Sequence, residues 1–85
     1  MDRTALRQAL LEMVENNLGE PVKRFDESMS LRDDLGLDSV DMVTLVMEIQ
    51  DRFRLRLAPS ELEHVECAGD LLDLLQARLS FRAAA

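Results

Sequence analysis

Eighty-five residues make one small domain, able to bury about 60% of the surface its unfolded chain exposes, which leaves no room for a deep enclosed active site. Seventeen acidic residues against ten basic ones give a formal net charge of −7, which repels phosphate backbones and anionic lipid, so nucleic acid is excluded as a partner and basic protein surfaces are favoured. No apolar run approaches the length that spans a bilayer and Met1-Asp2-Arg3-Thr4 is no signal peptide, so no membrane insertion and a cytoplasmic location are expected, while a single Cys67 and a single His64 supply neither a disulfide nor a zinc set.

Over residues 4–18, Leu6, Leu10, Met13 and Val14 recur at helical spacing, with Asp2 and Thr4 as capping candidates and Gly19 and Pro21 closing the run. Residues 20–37 break this pattern into a loop that is long for so small a domain. Pro21, Phe25, Met29, Leu31 and Leu35 are scattered through it as anchors that would pack it down. Residues 38–53 predict the second helix, with Asp38 as N-cap and Asp41 three places on, a capping box with the shorter acid in place of Glu. One face of this helix carries Met42, Leu45, Val46, Ile49 and Phe53 as the main core stripe. A neighbouring face carries Val40, Val43 and Met47 among Asp41, Thr44, Glu48 and Asp51.

Residues 54–57 alternate as a strand would but have no partner strand, which makes them an extended connector. Pro59 suits the first turn of a short helix over residues 60–64. Leu71, Leu72, Leu74, Leu75 and Leu79 form the stripe of a last helix that starts near Ala68 and fades by Ser80, leaving residues 81–85 as a frayed tail. The sum is a single all-α domain over residues 1–85, ordered from about 4 to 80, with three principal helices and one minor one.

Asp34-Leu35-Gly36-Leu37-Asp38-Ser39-Val40-Asp41 places a serine at the junction between the long loop and a helix start. A helix start offers free N–H groups and a partial positive charge, which tolerate a phosphate ester on Ser39. Read as a bare tripeptide, Asp38-Ser39-Val40 is no more than an N-cap and first turn. A serine hydrolase would need a base, an orienting acid and a Gly-x-Ser-x-Gly elbow; here residue 41 is Asp and the lone histidine falls in the short third helix, so no catalytic residue is expected. Asp33, Asp34, Asp38 and Asp41 do not have the spacing of a calcium loop, and no dedicated metal site is expected.

The octapeptide, followed by Met42-Val43-Thr44-Leu45-Val46-Met47-Glu48-Ile49 and then Phe53, strongly resembles the attachment signature of acyl carrier proteins, and the resemblance runs from Leu31 to about Leu75. It implies a right-handed four-helix bundle with a short third helix. It also implies that Ser39 receives phosphopantetheine from coenzyme A through a separate transferase, and that acyl cargo is then held as a thioester on that arm. By the same resemblance Asp38 and Asp41 help dock the phosphopantetheinyl transferase and acyl-handling enzymes with basic patches; Glu48 and Asp51 extend the acidic strip, and Val40 and Met47 are apolar contacts in the docking face. The apolar pattern admits both of the latter as core residues as well.

Three departures bear on the type of carrier. Thr44 stands where fatty-acid carriers often have a further Glu, and Arg52, Arg54 and Arg56 stand where acids commonly continue, which points to a specialised lipid or polyketide-type pathway with its own partners. Gly36-Leu37 replaces the Gly-Gly usual in peptidyl carriers, favouring acyl over aminoacyl or peptidyl cargo. Cys67 sits where the family often has a Thr or Ser cap, so the last helix is expected to start with a weak cap. A free-standing monomer is expected. The alternative from a different class is a non-catalytic acidic helical interaction module, in which Ser39 is only a first-turn residue.

Overall fold

The computed structural model describes the backbone of residues 2–84 and the side chains of residues 2–80. Four helices follow one another, α1 Arg3–Leu18, α2 Ser39–Phe53, α3 Pro59–Leu62 and α4 Ala68–Ala84. Among the described residues there is no strand, only a single antiparallel bridge between Ser30 and Cys67.

Of the two capping candidates for α1, Asp2 is the cap: its carboxylate accepts the Ala5 N–H at 2.8 Å. The helix ends at Gly19, whose N–H donates to Glu15 O at 2.8 Å. Leu6, Ala9, Leu10, Met13 and Val14 are buried, a stripe at three- and four-residue spacing that α1 turns toward α2 and α4.

The long loop is packed, as its apolar residues require. Leu31, Leu35 and Leu37 are buried, Phe25 and Met29 half-buried. The Arg7 guanidinium lies over the Phe25 ring and donates to the Phe25 carbonyl at 2.6 Å. Pro21, expected among the anchors, is exposed, whereas Leu37 is an anchor that the scattered pattern did not single out.

The loop also supplies the cap of α4. The Ala68 and Gly69 amides donate to Met29 O and Glu27 O at 3.0 and 2.8 Å, so two of the orphan donors of the helix start are met by loop carbonyls. Gly69 permits this approach, since a Cβ there would stand 3.1 Å from the Glu27 oxygen. Cys67 offers no hydroxyl, but Asp70 reaches back to accept the Glu66 and Cys67 N–H groups at 3.1 and 3.2 Å. The cap expected to be weak is thus made from the other side, and those donors hold the Asp70 carboxyl below the usual range.

Arg3 joins three elements: it pairs with Glu27 of the loop and with Asp73 of α4 at 2.7 Å, and donates to Gln76 at 2.7 Å. α4 continues through Ala84 rather than fading at Ser80, since no Gly or Pro interrupts the residues after Leu79 and Ala and Arg are good helix formers. Of the frayed tail expected over 81–85, residues 81–84 are helical instead, and residue 85 lies outside the described residues. α3 is a single turn beginning at Pro59, with Glu61 accepting the Ala58 N–H at 3.0 Å.

Candidate functional site

The segment before α2 is wound so that its leucines point inward and its last residues emerge. Asp34 accepts the Ser30 N–H at 2.6 Å and Ser30 Oγ accepts the Asp33 N–H at 3.1 Å, so Asp34 works as a turn residue. The Leu37 amide then donates to Leu31 O at 3.0 Å. Gly36 between them has a φ of 78°, left-handed backbone that a residue with a Cβ adopts only under strain. This single reversal lets Leu35 and Leu37, on either side of it, both be buried.

Asp38 follows in extended conformation as the N-cap of α2. Its Oδ1 accepts the Asp41 N–H at 2.8 Å, and Asp41 Oδ2 accepts the Asp38 N–H at 3.2 Å, a closed capping box made by two aspartates. The box holds the first turn from both sides and leaves the residues between its members free to face solvent.

Ser39 is the first residue of α2 and is exposed. Among the described residues its hydroxyl makes no hydrogen bond. The amides of Ser39 and Val40, at the first two helical positions, have no protein acceptor among the described residues. They are available to an anion on the hydroxyl. An uncommitted, outward-facing oxygen beside open amides is a fit for a phosphate-linked arm. No group of three or more His, Cys, Asp or Glu side chains able to hold a metal ion occurs among the described residues.

Below Ser39 the exposed face of α2 is apolar: Val40, Val43 and Met47 are 72, 60 and 62% exposed. The structure thereby decides an open alternative, because neither Val40 nor Met47 belongs to the core. Met42 and Val46, expected in the core stripe, are only half-buried, while Leu45, Ile49 and Phe53 are buried as expected. The reason is the shortness of α3. With one turn it cannot cover the flank of α2, and Met42, Val46, Leu62 and Val65 instead line an open cleft of about 290 Å³ with Arg32 at its rim.

The acidic residues separate into two groups. Asp38 and Asp51 are exposed and Asp41 is half-buried in the capping box. Glu48 is half-buried and accepts a hydrogen bond from Asn17 of α1 at 3.3 Å, which places it in the α1–α2 seam rather than on the open face. Arg52 likewise turns to α1, 3.7 Å from Glu12. Helical spacing alone did not separate these seam residues from the outer face, because the angle between the two faces is set by where α1 lies.

Residues 8–75, which include the loop, the capping box and α2, match the family described as Phosphopantetheine attachment site. An acyl carrier protein of Saccharopolyspora erythraea is 36% identical over 88 residues, covering 100% of this chain and 93% of that protein. This chain belongs to the acyl carrier protein family. The crystal structure of the Thermotoga maritima acyl carrier protein, 30% identical, superposes with a TM-score of 0.83 over 94% of this chain and 93% of its own. The cofactor of this carrier family is phosphopantetheine, and the four-helix architecture is the family's. Among the described residues no helix is long and apolar enough to cross a membrane.

Proposed function

We propose that Ser39 is the attachment residue of this carrier, and that the chain transports acyl intermediates without doing chemistry on them. The observation that carries this reading is the Ser39 hydroxyl: exposed, unbonded and set between the two aspartates of a capping box at the start of α2. When bound, phosphopantetheine supplies a flexible arm ending in a thiol that holds an acyl group as a thioester. The chain's own part is to anchor and to present. The open amides of Ser39 and Val40 and the positive end of α2 offset the charge of a phosphodiester on Ser39, while the capping box keeps the first turn from fraying as partners bind and leave.

Asp38, Asp41 and Asp51 offer carboxylates to basic docking patches, and Val40 and Met47 offer adaptable apolar contacts beside them. Partners of that description are a phosphopantetheinyl transferase and the acyl-loading and acyl-transferring enzymes. Glu48, held by Asn17, contributes to the field of the face more than to direct contact. Gly36-Leu37 supports acyl rather than peptidyl cargo, and Thr44 with the arginines after Asp51 supports a specialised lipid or polyketide-type pathway. A cytoplasmic monomer fits this role.

Incubation with coenzyme A, magnesium and a broad-range phosphopantetheinyl transferase is expected to add one phosphopantetheine to the intact mass, and Ser39→Ala to abolish the addition. A wild-type mass unchanged with several such transferases would sink the assignment and favour a plain interaction module.

A further inference from the structure

The first turn of α2 is not aimed by its own packing. The buried residues of the helix begin at Leu45, so Ser39 and Val40 stand ahead of them and depend on how the loop enters. Leu31 and Leu37 of that loop are buried, but apolar contact is non-directional: it sets how deep the loop sits, not the heading of the backbone that leaves Leu37 for Asp38 and Ser39. Hydrogen bonds are directional, and here they lead to another element. The Leu37 N–H donates to Leu31 O at 3.0 Å, and the Leu31 N–H donates in turn to Glu66 O at 3.0 Å, so both backbone groups of Leu31 are committed.

Glu66 therefore carries the attachment loop, and it is itself held from α4. Asp70 Oδ2 accepts the N–H groups of Glu66 and Cys67 at 3.1 and 3.2 Å. The Glu66 carbonyl and the Cys67 N–H belong to one planar peptide unit, so fixing the N–H fixes where the carbonyl points. On the other side of the Ser30–Cys67 bridge the Ala68 N–H donates to Met29 O at 3.0 Å, which closes the frame. The order of support is Asp70, the Glu66–Cys67 peptide, Leu31, Leu37 and then the first turn of α2.

We propose that Asp70 is a positioning residue for attachment of the arm: through this frame it sets the direction in which Ser39 Oγ is presented to the transferase. The proposal rests on the reading of Ser39 as the attachment residue. In that reaction Ser39 Oγ bonds to the pantetheine-bearing phosphorus of coenzyme A, the adenosine bisphosphate half leaves, and the serine proton passes to a base of the transferase. Asp70 touches none of these atoms and acts only on the line of approach. As a cap and nothing more, it would stabilise α4 and leave the rate of a fully folded chain unchanged.

The test uses the full-length chain with coenzyme A, magnesium and a broad-range phosphopantetheinyl transferase, at a temperature where circular dichroism shows every variant folded. Loss of one cap is small against the stability of a small domain, so Asp70→Ala stays folded. It is expected to lower the kcat of arm addition about tenfold with KM for the carrier unchanged, since the carboxylates of α2 are untouched and only orientation is lost. Asp70→Asn keeps an oxygen acceptor at the same reach and is expected to recover most of that rate. Val14→Ala, a truncation in the buried stripe of α1 outside the frame, controls for lost stability and is expected to keep the wild-type kcat. Wild-type kcat in Asp70→Ala, a loss confined to KM, or an equal loss in Val14→Ala would overturn the proposal with the carrier reading intact. Asp70→Asn as slow as Asp70→Ala would transfer the effect to charge and overturn it too. A wild-type chain that never gains the mass of the arm removes the carrier reading, and the positioning role with it.

Discussion

Asp38 serves backbone and surface at once, and the two roles can be separated by chemistry. Its Oδ1 closes the first turn of α2 onto the Asp41 amide at 2.8 Å. Asp38→Ala is therefore expected to lower unfolding free energy by about 1 kcal/mol, read from urea denaturation. Asn caps nearly as well as Asp but carries no charge, so Asp38→Asn should keep most of that stability and still slow installation of the arm if a basic transferase docks there. Equal slowing by Ala and Asn would assign the effect to charge. Slowing by Ala alone would assign it to the cap. The sequence already pointed to Asp38, Ser39 and Asp41, because an N-cap, a first-turn residue and an N3 acid lie within four positions of one another and depend on local backbone alone. Glu48 was different. Its hydrogen bond to Asn17 depends on where α1 packs, which no spacing within α2 contains.

At the scale of elements, the loop and the start of α4 stabilise each other through carboxylates. Glu27 is drawn below the usual carboxylate range first by its bond from Arg3, Asp70 by the Glu66 and Cys67 amides, and Glu61 by the Ala58 amide and then Arg78. Each is deprotonated more readily in the folded chain than in the unfolded one, so the unfolded state takes up more protons as pH falls. The stabilisation is complete above the ordinary carboxylate range near pH 4 and is lost as pH drops through the depressed folded-state values. Urea midpoints are expected to be nearly level from about pH 7 to 5 and to fall below about pH 4. Asp70→Asn should start lower at neutral pH and fall less steeply. A variant that follows the wild-type slope would show that Asp70 is not among the groups responsible. This capping of α4 was illegible in the sequence, where Cys67 signalled only the absence of a hydroxyl. The compensation comes from Asp70 and from loop carbonyls some forty residues earlier in the chain.

For the whole molecule, the core is one cluster to which α1, α2, α4 and the loop all contribute. Leu45 and Leu72 are both fully buried in it. Truncation of either to Ala is expected to cost 2–5 kcal/mol or about that, a large share of the roughly 5–15 kcal/mol that holds a small domain together. Met47→Ala, on the open face of α2, should stay within about 0.5 kcal/mol. The helices and the buried stripes of α1 and α4 were legible because helical periodicity is a local property that packing then exploits. So was the serine at the loop–helix junction, since the residues around it form a contiguous motif. The sequence by itself determined four helices, a packed loop and the position of Ser39 at a helix start. Only the tertiary structure decided that Met42 and Val46 line a cleft, that Val40 and Met47 are surface, and that Arg52 turns to Glu12 of α1. The physical reason is common to all three: a helix's periodicity states which residues share a face, but burial depends on whether another element is long enough and near enough to cover it, and here α3 is one turn and α1 lies along the opposite side.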